Sequence, residues 1–216
     1  MNIQLGIYDI FSRIVPGAFY LFALFEFARV TNLIKLDWMS LKDIGLIPLA
    51  GLAAIAYIVG TGMDHVGAAW HRIFKKEQDG PETIRKFKEE HRGQWDLAFD
   101  DVDWPILRAY IYIHNPDVAN EIDRHNALCL MLKNLSLGLV LIVVSEGIQF
   151  AATMNWMYLI LAAVLLFLSY QMTIQAGTLR EWFYRSIFET VIAYRINLEE
   201  TVKPVKATST GKRIKR

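Results

Sequence analysis

Four stretches of the chain are almost free of charge, residues 14–30, 44–63, 135–152 and 156–172, and the polar residues gather between and beyond them. Each stretch is long enough for a transmembrane helix. Ahead of the first, residues 1–13 (MNIQLGIYDIFSR) place Ile3, Ile7, Ile10 and Phe11 at helical spacing beside Asp9 and Arg13, which suits a short helix in the membrane interface. Pro16 and Gly17 sit at the entrance of the first span, where they are better tolerated than in mid-helix.

In the second span Ala50 and Ala54, then Ala56 and Gly60, recur four residues apart. That spacing lets helix backbones approach closely in lipid, so this helix is expected at the centre of the bundle. Its stripe continues through Val66, Ala69, Trp70, Ile73 and Phe74 until Gly80 and Pro81 end it. A charged helix to about Arg92 follows, then the linker GQWDLAFDDVD, then a helix over 104–114 capped by Asp103.

The longest element begins at Asn115. Asn115 is a good N-cap, Pro116 suits the first helical position, and Asp117 and Glu121 suit the positive end of the dipole. No later proline interrupts it before residue 152, which predicts one helix of about 37 residues and roughly 55 Å. Its first half is polar and its second half is apolar from about Leu135, with Lys133 placed to snorkel at the boundary. A tight turn at Met154 and Asn155 returns the chain into the fourth span. After Gly177 the residues Leu179, Trp182, Phe183, Ile187, Val191, Tyr194 and Leu198 predict an amphipathic helix.

The expected fold is therefore all-α: a polytopic membrane protein with four transmembrane helices in two hairpins plus a cytoplasmic helical bundle. The divisions are an interfacial helix (1–13), a first hairpin (14–63), a cytoplasmic helical region (64–126), a second hairpin (127–176), an amphipathic cytoplasmic helix (177–200) and a basic disordered tail (201–216). Charge adds orientation. The net charge is only +1, yet the connections between spans one and two and between three and four hold just Arg29, Lys35 and Lys42 of the 23 Lys and Arg. The positive-inside rule then puts both termini in the cytoplasm. The single cysteine, Cys129, excludes an intrachain disulfide.

Three groups of residues carry possible chemistry. Glu26 follows Arg13 by thirteen residues and Glu146 follows Lys133 by thirteen, so the two acids are expected at similar depth near the outer leaflet. Glu26 also has Arg29 one turn away as a partner. These three are the intramembrane polar candidates, as a polar path formed on oligomerisation or as groups just inside the interface. Second, Arg108 to His114 and Arg85 to His91 both match R-x5-H, a loose signature of HEPN-type RNases. A structural pair is the alternative, and an Arg and a His six apart point to different helix faces.

Third, Trp95, Phe99, Asp100, Asp101, Asp103 and Trp104 make an aromatic and acidic linker beside His91, explained by capping and core anchoring or by binding of a cationic group, a partner helix or a metal. His65, His71 and His125 lack ligand spacing, so no metal site is expected, and no cofactor either. Lys203, Lys206, Lys212, Arg213, Lys215 and Arg216 form a tail suited to anionic lipid rather than to nucleic acid. The motifs of phosphate-binding loops, zinc proteases, dithiol redox sites and serine hydrolases are absent from the sequence.

The segments YDIFSRIVPGA (residues 8–18) and RAYIYIHNPDVANEIDRHNALCLMLKNL (residues 108–135) resemble parts of small four-span bacterial membrane proteins of defence islands, of the CRISPR-accessory or cyclic-oligonucleotide effector type. They cover about a fifth of the chain. The resemblance implies antiviral defence by membrane perturbation or by modulation of a partner nuclease. The expected function is a non-enzymatic effector or accessory, a homo-oligomer in the bilayer, whose cytoplasmic bundle senses a partner nuclease or nucleotide signal and couples it to membrane perturbation or partner regulation. A membrane-anchored HEPN-like RNase using Arg108 and His114, and a small transporter or channel subunit, are the alternatives.

Overall fold

A computed structural model describes residues 7–34, 46–74, 80–90 and 104–194, and every described element is an α-helix. In chain order these are α1 (Ile7–Val30), α2 (Leu46–Phe74), α3 (Gly80–Glu90), α4 (Trp104–His114), α5 (Pro116–Thr153) and α6 (Trp156–Ala193). Four of them contain runs long and apolar enough to cross a membrane: Ile10–Val30, Pro48–Ile73, Pro116–Thr153 and Trp156–Ala193.

The caps follow from local chemistry. Asn115 accepts a hydrogen bond from the Val118 amide at 3.3 Å, and Pro116 takes the first helical position where its missing N–H leaves nothing unpaired. At the other end Met154 adopts the left-handed conformation (φ 55°) and its amide returns to the Phe150 carbonyl. Asn155 then caps α6 by accepting from the Met157 amide at 3.0 Å. A single left-handed residue and a single cap thus join two 38-residue helices, each about 57 Å long.

Two elements are longer than their sequence patterns suggest. α1 begins at Ile7 and carries Pro16 inside it, so residues 7–13 continue into the apolar run as one helix. α6 passes through Gly177 without a break, so the fourth apolar run and the amphipathic stretch as far as Ala193 are one helix, while Leu198 and the rest of 195–200 lie outside the described residues. A glycine in a helix costs only about 1 kcal/mol, and Gly177 is buried between Ala176 and Leu179, which pack with Cys129 of α5.

α5, not α2, is central. It packs along α6 over most of its length, and against α1, α2 and α4, whereas α2 touches mainly α1 and α5. Ala56 and Gly60 do meet α1: a side chain at Gly17 would strike the Ala56 carbonyl, and one at Gly60 would strike the Arg13 carbonyl. Ala50 and Ala54, by contrast, are exposed, because they lie on the face of α2 turned away from the bundle. Small residues permit close packing, but only one of the two pairs is used for it.

The N-terminal end of α5 and the C-terminal end of α6 gather the short helices around a separate core. Ile84 and Phe87 of α3, Leu107 and Ile111 of α4, Ala119 and Ile122 of α5, and Phe183, Ile187 and Phe188 of α6 form it, with Trp104 packed edge-on against Phe183 and Tyr184. No residue of α2 belongs to this core. Arg185 of α6 fastens α3 through Glu90 at 3.2 Å and also pairs with Glu189 one turn along its own helix at 2.9 Å.

Candidate functional site: a polar junction where four helices meet

The Asp64, Gly67 and His71 positions recur at i, i+3 and i+7, which puts them on one face of α2. That face docks on α5 and α6. Asn134 Nδ2 donates to Asp64 Oδ1 at 2.6 Å, Gly67 leaves room for the Asn134 carboxamide, and His71 Nε2 lies 3.1 Å from the Thr173 carbonyl of α6. Arg13 of α1 donates to the Tyr57 hydroxyl at 3.0 Å, and its Nε lies 4.0 Å from Asp64 Oδ2. The Tyr20 hydroxyl donates to the Asn134 carbonyl at 2.8 Å.

The α5–α6 seam at the same level is also polar. Ser169 donates to the Ser136 carbonyl at 2.8 Å, Ser136 to the Lys133 carbonyl, and Thr173 to the Ser169 carbonyl. Lys133 itself is only 4% exposed. It is drawn into the bundle instead of reaching for the interface, because α5 is covered on several sides at this level. In a bilayer, apolar contacts give helices little reason to prefer each other over lipid, so such hydrogen bonds and close backbone approaches decide which faces meet. The junction sits between the core shared with α3 and α4 and the far end of the bundle, and sequence separations as large as 114 residues are bridged in it.

A second polar group lies farther along α1 and α5. Arg29 makes two hydrogen bonds to Glu26 Oε2, at 3.0 and 2.8 Å, and Glu26 is largely buried. A side chain at Gly138 would meet the Phe19 ring, so these residues face one another. Two turns on along each parallel helix, Glu26 faces Ser145 and Glu146, and Glu146 is within electrostatic reach of both Glu26 and Arg29. Glu146 Oε2 is buried without a hydrogen-bond partner among the described residues.

Arg108 and His114 are engaged separately. The Arg108 guanidinium bonds Asp123 at 2.8 and 2.7 Å and lies 5.9 Å from the Phe183 ring centre. His114 pairs through Nδ1 with the Tyr110 carbonyl of its own helix and stacks on the Tyr110 ring. Arg85 is exposed on α3, while His91, the linker residues 93–103 and the basic tail lie outside the described residues. Among the described residues no three His, Cys, Asp or Glu side chains are close enough to hold a metal ion.

The sequence reading passed over Asp64, Asn134, Tyr20, Tyr57, Ser136, Ser169 and Thr173. Their signal was present as polar residues interrupting or bordering apolar runs, a pattern that in membrane helices marks interior faces. No protein-family model, curated protein or solved structure matches the chain.

Proposed function

We propose that the protein is a non-enzymatic effector or accessory of a bacterial inner membrane, in which a cytoplasmic helical bundle passes a signal to four spans arranged as two hairpins. The observation that carries this reading is the continuity of α5 and α6. Both run unbroken from the core shared with α3 and α4 into the apolar bundle, so a displacement of that core is felt along two packed rods. Each rod, at about 57 Å, exceeds the roughly 30 Å of bilayer hydrocarbon. The distribution of Lys and Arg supports a cytoplasmic bundle and cytoplasmic termini.

The output is membrane perturbation or regulation of a partner, with a homo-oligomer as the working form and a nuclease or nucleotide signal as the input. The antiphage setting rests on the resemblance of residues 8–18 and 108–135 alone. Among the described residues no contact favours the RNase alternative, since Arg108 bonds Asp123 and His114 bonds the Tyr110 carbonyl.

Leu130→Pro tests the reading. A proline in mid-helix costs about 3 kcal/mol and breaks α5 between the core and the junction while leaving the apolar run intact. Induced expression with a membrane-potential dye should show depolarisation by the wild type and loss of it in Leu130→Pro at equal membrane insertion. Full depolarisation by the variant would refute coupling through α5, and RNA decay without depolarisation would favour the enzyme.

A further inference from the structure

At the distal end of the core shared by α3, α4, α5 and α6, where α4 gives way to α5 and α6 ends, lies a cavity of about 170 Å³ lined by Tyr110, Ile111, His114, Asn115, Thr190 and Tyr194. A cavity of about 150 Å³ takes up one benzene ring, so this space suits a single ring and little more. Ile111 supplies an apolar wall from the core, and Tyr110 and His114, stacked with centroids 3.9 Å apart and planes at 15°, supply a flat aromatic one. Among the described residues no Lys, Arg, Asp or Glu lines it, so a charged ligand would lose water there without gaining a counter-ion from that lining.

The polar groups in the lining have defined unspent capacity. His114 Nδ1 is 2.9 Å from the Tyr110 carbonyl and must carry the hydrogen of that bond, which leaves Nε2 as an acceptor. The Tyr194 hydroxyl accepts from Asn115 Nδ2 at 2.8 Å, which leaves its own hydrogen to donate. One acceptor and one donor beside a flat wall match the N–H and C=O of a cyclic amide. We propose that this cavity binds a neutral, planar, single-ring compound through a lactam edge, its N–H donating to His114 Nε2 and its C=O accepting from the Tyr194 hydroxyl.

Binding stands on the cavity alone; its use as the input to α5 and α6 rests on the coupling reading above. The test is saturation-transfer NMR on the full chain in lipid nanodiscs, which reads binding without any membrane output. The probes are uracil and 2-pyridone, against 1,3-dimethyluracil, which has the same ring without N–H, and orotate, which adds a carboxylate. Uracil and 2-pyridone should bind saturably, 1,3-dimethyluracil about tenfold more weakly, the factor expected for one lost hydrogen bond, and orotate also more weakly, because its carboxylate loses water without a counter-ion in the described lining. Thr190→Trp, which fills the space, should abolish uracil binding. His114→Phe, which keeps a ring on Tyr110 but loses Nε2, should bring uracil down to the level of 1,3-dimethyluracil with an unchanged helical circular dichroism spectrum. Equal binding of uracil and 1,3-dimethyluracil, uracil binding that survives both substitutions, or no saturable binding of either probe into the millimolar range would overturn the proposal. Binding as expected with no effect of the probes on depolarisation would retain the site and count against the coupling reading instead.

Discussion

Asn134 is the residue whose removal should be felt most widely, because it joins three helices. Its carboxamide donates to Asp64 of α2 at 2.6 Å, its backbone carbonyl accepts from Tyr20 of α1, and its Cα belongs to α5. Asn134→Leu keeps the volume and the backbone carbonyl but removes the donor to Asp64. A hydrogen bond to a charged group contributes about 1.5–3 kcal/mol in proteins generally, whereas interhelical bonds measured in a bilayer average about 0.6 and reach about 1.7 kcal/mol. The Asp64 side chain is 23% exposed and retains Arg13 at 4.0 Å, so water and the guanidinium offset part of the loss. These limits bracket the pairwise contribution at about 1–2 kcal/mol. A double-mutant cycle of Asn134→Leu and Asp64→Leu, read by reversible unfolding in mixed micelles, isolates it from the cost of each substitution alone. A coupling energy below about 0.5 kcal/mol would show that the contact does not hold α2 to α5, and the junction would lose its role as a fastening.

Other substitutions follow from the same geometry. Gly17→Ala places a methyl against the Ala56 backbone and should cost about 1–3 kcal/mol, while Gly62→Ala, which meets nothing within 4 Å, should gain up to about 1 kcal/mol of helix propensity; mixed-micelle unfolding of the two reads opposite signs. Asn115→Ala loses both the cap to Val118 and the bond to Tyr194, and should weaken the first turn of α5 by about 1 kcal/mol, visible as faster amide exchange confined to residues 117–119. Arg29→Gln leaves the buried Glu26 without its guanidinium and should lower stability, and the added change Glu26→Gln should restore most of it.

Much of the frame was legible because it is written locally. Asn115 and Pro116 announce the start of α5, Met154 and Asn155 the turn after it, and Gly80 and Pro81 the start of α3, each through the chemistry of one or two residues. The Glu26–Arg29 pair was legible for the same reason, being one helical turn apart. The junction was not, because its decisive pairs are Asp64 with Asn134, Tyr20 with Asn134 and His71 with Thr173, each brought together by packing across the bundle. Gly177 misled for a related reason: a glycine where the hydrophobic pattern changes reads as a break, but burial against α5 holds the helix through it.

These contacts divide the apolar bundle mechanically. α5 and α6 are antiparallel and joined over most of their length, by Cys129 and Ala176, by Asn126 and Arg180, and by Ser136 and Ser169. α1 and α2 are antiparallel and joined through Gly17, Gly60, Arg13 and Tyr57. The two pairs meet chiefly along α1 and α5, with α2 fastened at Asp64 and His71. Since apolar faces in lipid gain little from each other, the junction is where one pair is held to the other. Glu146 lies twelve residues beyond Asn134 on α5, about 18 Å away along a straight helix. A tilt of about 10° between the pairs, pivoting at the junction, would therefore shift Glu146 by about 3 Å relative to Glu26 and Arg29. That displacement is comparable to a hydrogen-bond length, so a small tilt imposed on α5 from the distal core is enough to remake the polar contacts at the other end.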